Sequence, residues 1–409
     1  MSAAETSPTA NTAGALPLEG VRILDLSRLL PGPFATQLLA DLGAEVIKVE
    51  DTRQGDGFRQ AQPMLDGESV RHLNLNRNKR CLSIDLKSDE GRRILLRLAE
   101  DSHVLLEQFR PGVMARLGLD YAAVRAANPA IVYCSLSGFG QDGPLRDLAA
   151  HDPNYLALSG ILSLLGGRQG PPAMSGVQIA DISAALMAAI GILAAVRRAE
   201  RTGLGDFLDI SLFGSVIATA VTAISSYVGT GKVPTRGQER HDGGYPVAGI
   251  FETADHGYVT VCAIEEHFWR NLCRELGRED WYAHGFAEGE QAERIRDEMA
   301  AIFRTRMRDE WAARFRDKDA CVSPVLSLGE ALSSDQARHI GALVPHSHPV
   351  AGEVALCANP IRLRDGGPQI RRPAGRLGEH SAEILGDIGY DPAAIQALAQ
   401  AGIVRLADE

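Results

Sequence analysis

The sequence predicts an α/β protein: a Rossmann-like large domain with a mostly parallel sheet, plus a smaller α+β domain. Three observations carry this. Short apolar strands alternate with amphipathic helices from Val21 to Gly138, the pattern of a parallel sheet covered on both faces. The apolar periodicity breaks at GTGKVPTRGQERHDGG (229–244), where Gly and charged residues take over. Beyond it come one strand and three helical stretches rich in Trp and Arg.

The elements follow in order. Residues 1–17 lack the basic start and apolar run of a signal peptide and are expected as a flexible leader. VRILDLS (Val21–Ser27) is the first strand, and PGPFATQLLADLGA follows as a helix with Phe34, Leu38 and Leu42 on one face. EVIKVE (Glu45–Glu50) and CLSIDL (Cys81–Leu86) are the next strands, and Ser88-Asp89-Glu90-Gly91 opens another helix. HVLLEQF (His103–Phe109) and AIVYCSLSG (Ala130–Gly138) continue the sheet. In AAHDPNYLALSG, Asp152-Pro153 reads as an N-cap with proline at the first helical position, which leaves His151 at the junction. A long apolar helix runs from about Ile182 to Glu200, and DFLDIS then leads as a strand into a further apolar helix. The large domain is thus expected over 18–228, a linker over 229–244 and the small domain over 245–330. Residues 331–409 return to the large domain, with SAEILGDIGY and PAAIQALAQAG as helices packed on it.

Composition narrows the functional classes. A chain of 409 residues, 45% hydrophobic and 23% charged, has ample core material. Its net charge of -10 argues against a nucleic-acid partner but permits a local basic pocket for an anionic ligand. Six cysteines without a CxxC pair are expected as reduced, buried thiols of a cytoplasmic protein. The most apolar run, Ala184–Val196, is too short to cross a bilayer, so no membrane segment is expected. Ser27-Arg28-Leu29-Leu30-Pro31-Gly32-Pro33 follows the first strand where a dinucleotide fold has GxGxxG, and no Walker loop occurs. Both facts speak against dehydrogenases and nucleotide hydrolases. His346-Ser347-His348 has no Cys or carboxylate partner in ligand spacing, and no metal is expected.

A few positions could carry chemistry. Asp181 opens the long helix; most aspartates there only cap, but the positive helix end also keeps a functional carboxylate ionised. Glu265 and Glu266 follow YVTVCAI, either as helix-initiating acids or at the working end of a strand. His151 is a loop histidine or a base. Asn76-Arg77-Asn78-Lys79-Arg80 is a solvated charge run or a phosphate clamp.

Together these stretches resemble one family. LEGVRILDLSRLLPGPFATQLLADLGAEVIKVE, NRNKRCLSIDLKSDEGR, EQFRPGVMARLG, SLSGFGQDGP, HDPNYLALSG, IADISAALMAAIGILAA, DACVSPVL and LGEHSAEIL are similar, in this order, to the family III CoA-transferases (CaiB/BaiF). The resemblance runs from about Leu18 to Leu385. It implies an acyl-CoA thioester substrate, no cofactor beyond the CoA of that substrate, and a homodimer of interlocked chains. Two chemistries occur in the family. Its CoA-transferases use the aspartate matching Asp181 as a nucleophile; its α-methylacyl-CoA racemases use it as a base. Formyl-CoA transferase has tyrosine, glutamine and glycine where this chain has His151, Glu265 and Arg110, whereas the racemases have histidine, glutamate and arginine. DGGYPV (Asp242–Val247) also resembles a racemase segment. The resemblance therefore implies α-carbon racemisation by His151, Asp181, Glu265 and Arg110, with CoA transfer through Asp181 as the alternative and a non-catalytic CoA binder as the third reading. For CoA binding it implies Lys79 and Arg116 by match; Arg80 joins them by adjacency to Lys79 only, and Phe109 completes the expected CoA-binding set. Backbone N–H groups at the start of the Asp181 helix are the expected donors to an enolate oxygen.

Overall fold

Alternating side chains build the central sheet. In β1 (Arg22–Leu26), Ile23 faces one layer of the core and Leu24 the other. The computed structural model describes residues 16–407, so the expected leader falls, except for its last two residues, outside the described region. After β1 come β2 (Glu45–Glu50), a small hairpin of β3 (Met64–Leu65) and β4 (Glu68–Ser69), and β5 (Lys79–Ile84). β6 (Val104–Glu107), β7 (Val132–Ser137) and β8 (Phe207–Ser211) complete the parallel strands.

The chain divides into two units. The first holds the residues up to Tyr155, Gln178–Thr219 and the chain from Arg338 onward. Its seven-stranded sheet has the order β14-β5-β2-β1-β6-β7-β8, with β14 (Val404–Arg405) antiparallel at the edge. One face packs on the helices Pro31–Asp41 and Ile179–Thr202 through Ala35, Leu39, Ala185, Ala188 and Ile192. The other packs on Asp89–Glu100 and on the C-terminal helices Ser381–Asp387 and Pro392–Gln400 through Ile94, Leu98, Ile384 and Ile395.

The second unit is Leu156–Val177 with Ala220–Ala337. Its antiparallel sheet joins β9 (Ala248–Glu252), β10 (Tyr258–Cys262) and β11 (Val322–Pro324). The helices Glu266–Leu276, Gly289–Phe303 and Arg308–Phe315 cover one side of it around Trp269, Trp281, Met299 and Trp311. A further hairpin, β12 (Leu343–His348) and β13 (Gly352–Cys357), belongs to the first unit.

Several boundaries differ from the sequence reading. The second unit takes Leu156–Val177 out of the expected large domain, its main stretch begins at Ala220 rather than after residue 228, the stretch 229–244 lies inside it, and the return starts at Arg338 rather than at 331. The apolar run after β8 forms two helices, Leu212–Thr219 and Val221–Thr230, where composition gives no punctuation. The long helix has 24 residues, from Ile179 to Thr202, and its length and apolarity suffice for a membrane span. Half of its most apolar window is buried against the protein. Of the six free cysteines, Cys81, Cys134 and Cys273 are buried, but Cys262, Cys321 and Cys357 are exposed, contrary to the expectation of buried thiols. His348 ends β12 with its ring buried, Nδ1 accepting from the backbone of Val350 and Ala351.

Candidate active site

Strand order reverses between β1 and β6, and open α/β sheets bind ligands outside the carboxyl ends of their strands at such a point. A cleft of about 380 Å³ lies there. Its walls are the ends of the strands and the segments leaving them: Arg28, Leu29 and Pro31 after β1, Gln108, Phe109 and Arg110 after β6, Ser137 at the end of β7 and Gly138 after it. His151, Asn154, Tyr155 and Asp181 also line it, with Arg146 among their neighbours. The structure thus brings together His151, Asp181, Arg110 and Phe109 from distant parts of the sequence.

His151, not Asp152, stands at the N-cap of the helix Asp152–Leu158. Its carbonyl accepts from Asn154 and Tyr155 N–H, and its own N–H donates to Asn154 Oδ1 at 3.0 Å. That leaves an exposed imidazole at the cleft. Asp152 turns away from its own helix. Its Oδ2 accepts from the backbone N–H of Ala180 at 2.7 Å and of Asp181 at 3.1 Å, and so caps the long helix from 28 and 29 residues away.

This cap has two consequences. Burial, and secondarily the Asp152 carboxylate, push the Asp181 carboxyl up to about 6, so the helix dipole does not hold it at an ordinary carboxylate value. The N–H groups of Ala180 and Asp181 are also committed to Asp152, and that of Ile182 to Gln178 O. They are therefore not the free enolate donors expected from the sequence.

The remaining positions separate. Glu265 precedes the helix Glu266–Leu276 in the second unit and is not among the residues lining the cleft. Lys79 is fully buried: its Nζ donates to Asp25 Oδ2, Pro33 O and Asn76 Oδ1, and burial outweighs Asp25 to bring it down to about 8. Such an ammonium is sequestered from a CoA phosphate. Arg80 is spent on Glu45 at 2.7 Å, Asp387 at 2.6 Å and Glu383 at 3.1 Å. Arg77 pairs with buried Asp41 at 2.8 Å, so Asn76–Arg80 is neither a solvated run nor a clamp but a buried polar knot.

A second cleft of about 250 Å³ shares Arg28 and Phe109 with the first and adds Asp51, Lys87, Val113 and Leu117. Arg116 is exposed at the end of the short helix between Val113 and Leu117. Besides Arg28, the cation lining this edge is Lys87, which basic-run reasoning does not single out. Lys79 starts β5 and Lys87 follows its end, and in a parallel sheet only the carboxyl end faces ligand. Strand polarity was the signal that distinguishes them.

The model of the family described as CoA-transferase family III matches residues 18–381. The chain belongs to CoA-transferase family III. Among its relatives, the mouse succinyl-CoA:glutarate CoA-transferase is 32% identical over 396 residues, covering 95% of this chain and 90% of that protein. Human alpha-methylacyl-CoA racemase is 34% identical over 377 residues, covering 91% and 94%. A CAIB/BAIF family protein from Brucella suis has the same fold, with TM-score 0.79 and 28% identity over 91% of this chain and 99% of its own. This family III chain is thus an enzyme whose relatives include both transferases and racemases, and acyl-CoA is the substrate class consistent with that membership.

Proposed function

We propose that this enzyme racemises the α-carbon of 2-methylacyl-CoA thioesters. The observation that supports it is an imidazole, His151, and a carboxyl raised to about 6, Asp181, lining one cleft. One group takes the α-proton and leaves a planar enolate; the other returns a proton to the opposite face, and the roles exchange with direction. A carboxyl near 6 suits this task because acid–base catalysis is most efficient when the group's pKa lies near working pH. Arg110 at the cleft supplies positive charge toward the enolate oxygen, and Phe109 gives an apolar wall. The resemblance assigns Glu265 to the same chemistry. In this reading CoA is part of the substrate, no other cofactor enters, and the working form is a cytoplasmic homodimer.

CoA transfer is the second reading, favoured by the similarity to a succinyl-CoA:glutarate CoA-transferase over 95% of this chain. There the same carboxylate attacks the thioester carbonyl and a carboxylate acceptor completes the exchange. The deciding experiment incubates one enantiomer of a 2-methylacyl-CoA in D₂O without acceptor. Deuterium at the α-carbon together with loss of optical purity is the expected result. An unchanged substrate that exchanges CoA once succinate or glutarate is added overturns racemisation in favour of transfer.

A further inference from the structure

Leu29 has φ 63°, in the left-handed region, although it is a bulky residue with no special tolerance for it. It sits in the turn that leaves β1, and with Arg28 it lines the candidate active cleft; Arg28 also lines the second cleft. Strain of this kind persists only where surrounding contacts over-determine it. The contacts are a buried pair. Both carboxylate oxygens of Asp56 accept from Leu29 N–H, at 3.0 and 3.1 Å. Lys48, from the middle of β2, donates to Asp56 Oδ2 at 2.8 Å and to Ser27 O at 2.6 Å. The Lys48 and Asp56 side chains are 0% and 1% exposed. Lys48 therefore grips one side of the turn directly and the other through Asp56. Asp56 is in turn anchored by its own N–H to Glu50 Oε1 at 2.8 Å.

We propose that Lys48 and Asp56 are positioning residues for the thioester: they hold Leu29 in its left-handed conformation and so aim Arg28 and Leu29 at the bound ligand. This rests on the cleft being an acyl-CoA site, but not on whether the thioester is racemised or transferred. Neither residue touches ligand. They act by keeping the competent turn populated, and apparent affinity falls in proportion to the fraction of molecules that leave it.

The test is calorimetric binding of isobutyryl-CoA, whose α-carbon is not a stereocentre. Asp56→Asn is expected to weaken binding about tenfold, the loss when the competent turn falls to about a tenth of the population. Adding Leu29→Asn in that background should restore most of it, since asparagine accepts the left-handed region more readily. A second pair leaves the buried ions intact and answers the question even if Asp56→Asn fails to fold. Leu29→Val, which resists positive φ, should bind about tenfold more weakly than Leu29→Asn, although both lack the leucine side chain. A merely structural pair would lower Tm without this contrast. Equal affinity of the Val and Asn variants overturns the positioning role alone; no binding to the unaltered protein overturns it together with the acyl-CoA reading.

Discussion

At the scale of the residue, Asp181 is set by its neighbours more than by its place in the helix. Burial is the larger cause of its rise to about 6 and the Asp152 carboxylate the smaller. In the direction where Asp181 removes the α-proton it must be ionised while the group that returns the proton must still carry one, so kcat/KM should rise with pH through about 6 and fall again at higher pH. Asp152→Asn removes the negative neighbour but leaves the burial, so the acid limb should move only part of the way toward the ordinary value of 3.8. A pH–rate profile of both proteins reads this directly. Asp181→Asn, by contrast, should cost about 10²–10⁴-fold above the acid limb, the usual worth of a positioned proton-transfer group, and progressively less below it, where the native carboxyl is itself protonated. The sequence made His151 and Asp181 visible because each stands at a helix start. It hid Asp152, whose hydrogen bonds join residues 28 and 29 positions apart, and it hid the direction of the Asp181 shift, which depends on burial. The same limit misplaced the phosphate-binding role on Lys79: a basic run looks alike whether it meets water or, as here, Asp25 and Asp41 in the core.

At the scale of the element, strands and long helices were legible because their apolar period is written locally. β1, β2, β6, β7 and β8 all fall within their predicted runs, whereas β5 starts two residues before its run because Lys79 and Arg80 pair with Val46 and Ile47 of β2. In the sequence the turn after β1 shows only that GxGxxG is missing. Its one glycine nevertheless has a close-approach role. A Cβ on Gly32 would lie 2.2 Å from Ser27 Cβ and 2.9 Å from Gln108 Oε1, so only glycine lets the helix Pro31–Asp41 start against both cleft-forming loops. Gly32→Ala should therefore destabilise the fold by about 1–3 kcal/mol, the usual cost of overpacking. Because Gln108 lines the cleft, it should also raise KM for the thioester. Urea unfolding and steady-state kinetics on the same preparation would test both effects; an alanine variant of unchanged stability would show that the turn has more room than its contacts indicate.

At the scale of the whole molecule, the two units each have their own core, and the chain crosses between them at Tyr155–Leu156, Val177–Gln178, Thr219–Ala220 and Ala337–Arg338. None of these crossings is a Gly-rich linker, so composition could find two domains but not their edges. Stability also depends on the buried titratable groups, and one carboxyl on β6 carries a clear part of its pH dependence. Glu107, at the end of β6, is 3% exposed and accepts from Ser135 Oγ and, at 2.7 Å, from Phe109 N–H. Burial pushes its carboxyl up to about 7 despite those two donors. A carboxyl whose folded pKa exceeds its unfolded value keeps a proton that the unfolded chain has already released, so folding stability falls as pH rises. For Glu107 that fall should lie between its ordinary value of 4.5 and about 7. Glu107→Gln keeps an acceptor oxygen for Phe109 N–H and turns its amide N–H toward Ser135 Oγ, but removes the charge, so it should flatten the pH dependence. At pH about 8 it should add about 2–3 kcal/mol, and at pH about 4 almost nothing, where the native carboxyl is already neutral in both states. Urea unfolding of the two proteins at these pH values checks the sign as well as the size. A variant that is less stable at high pH would mean that the ionised carboxylate is better solvated in the fold than its burial implies.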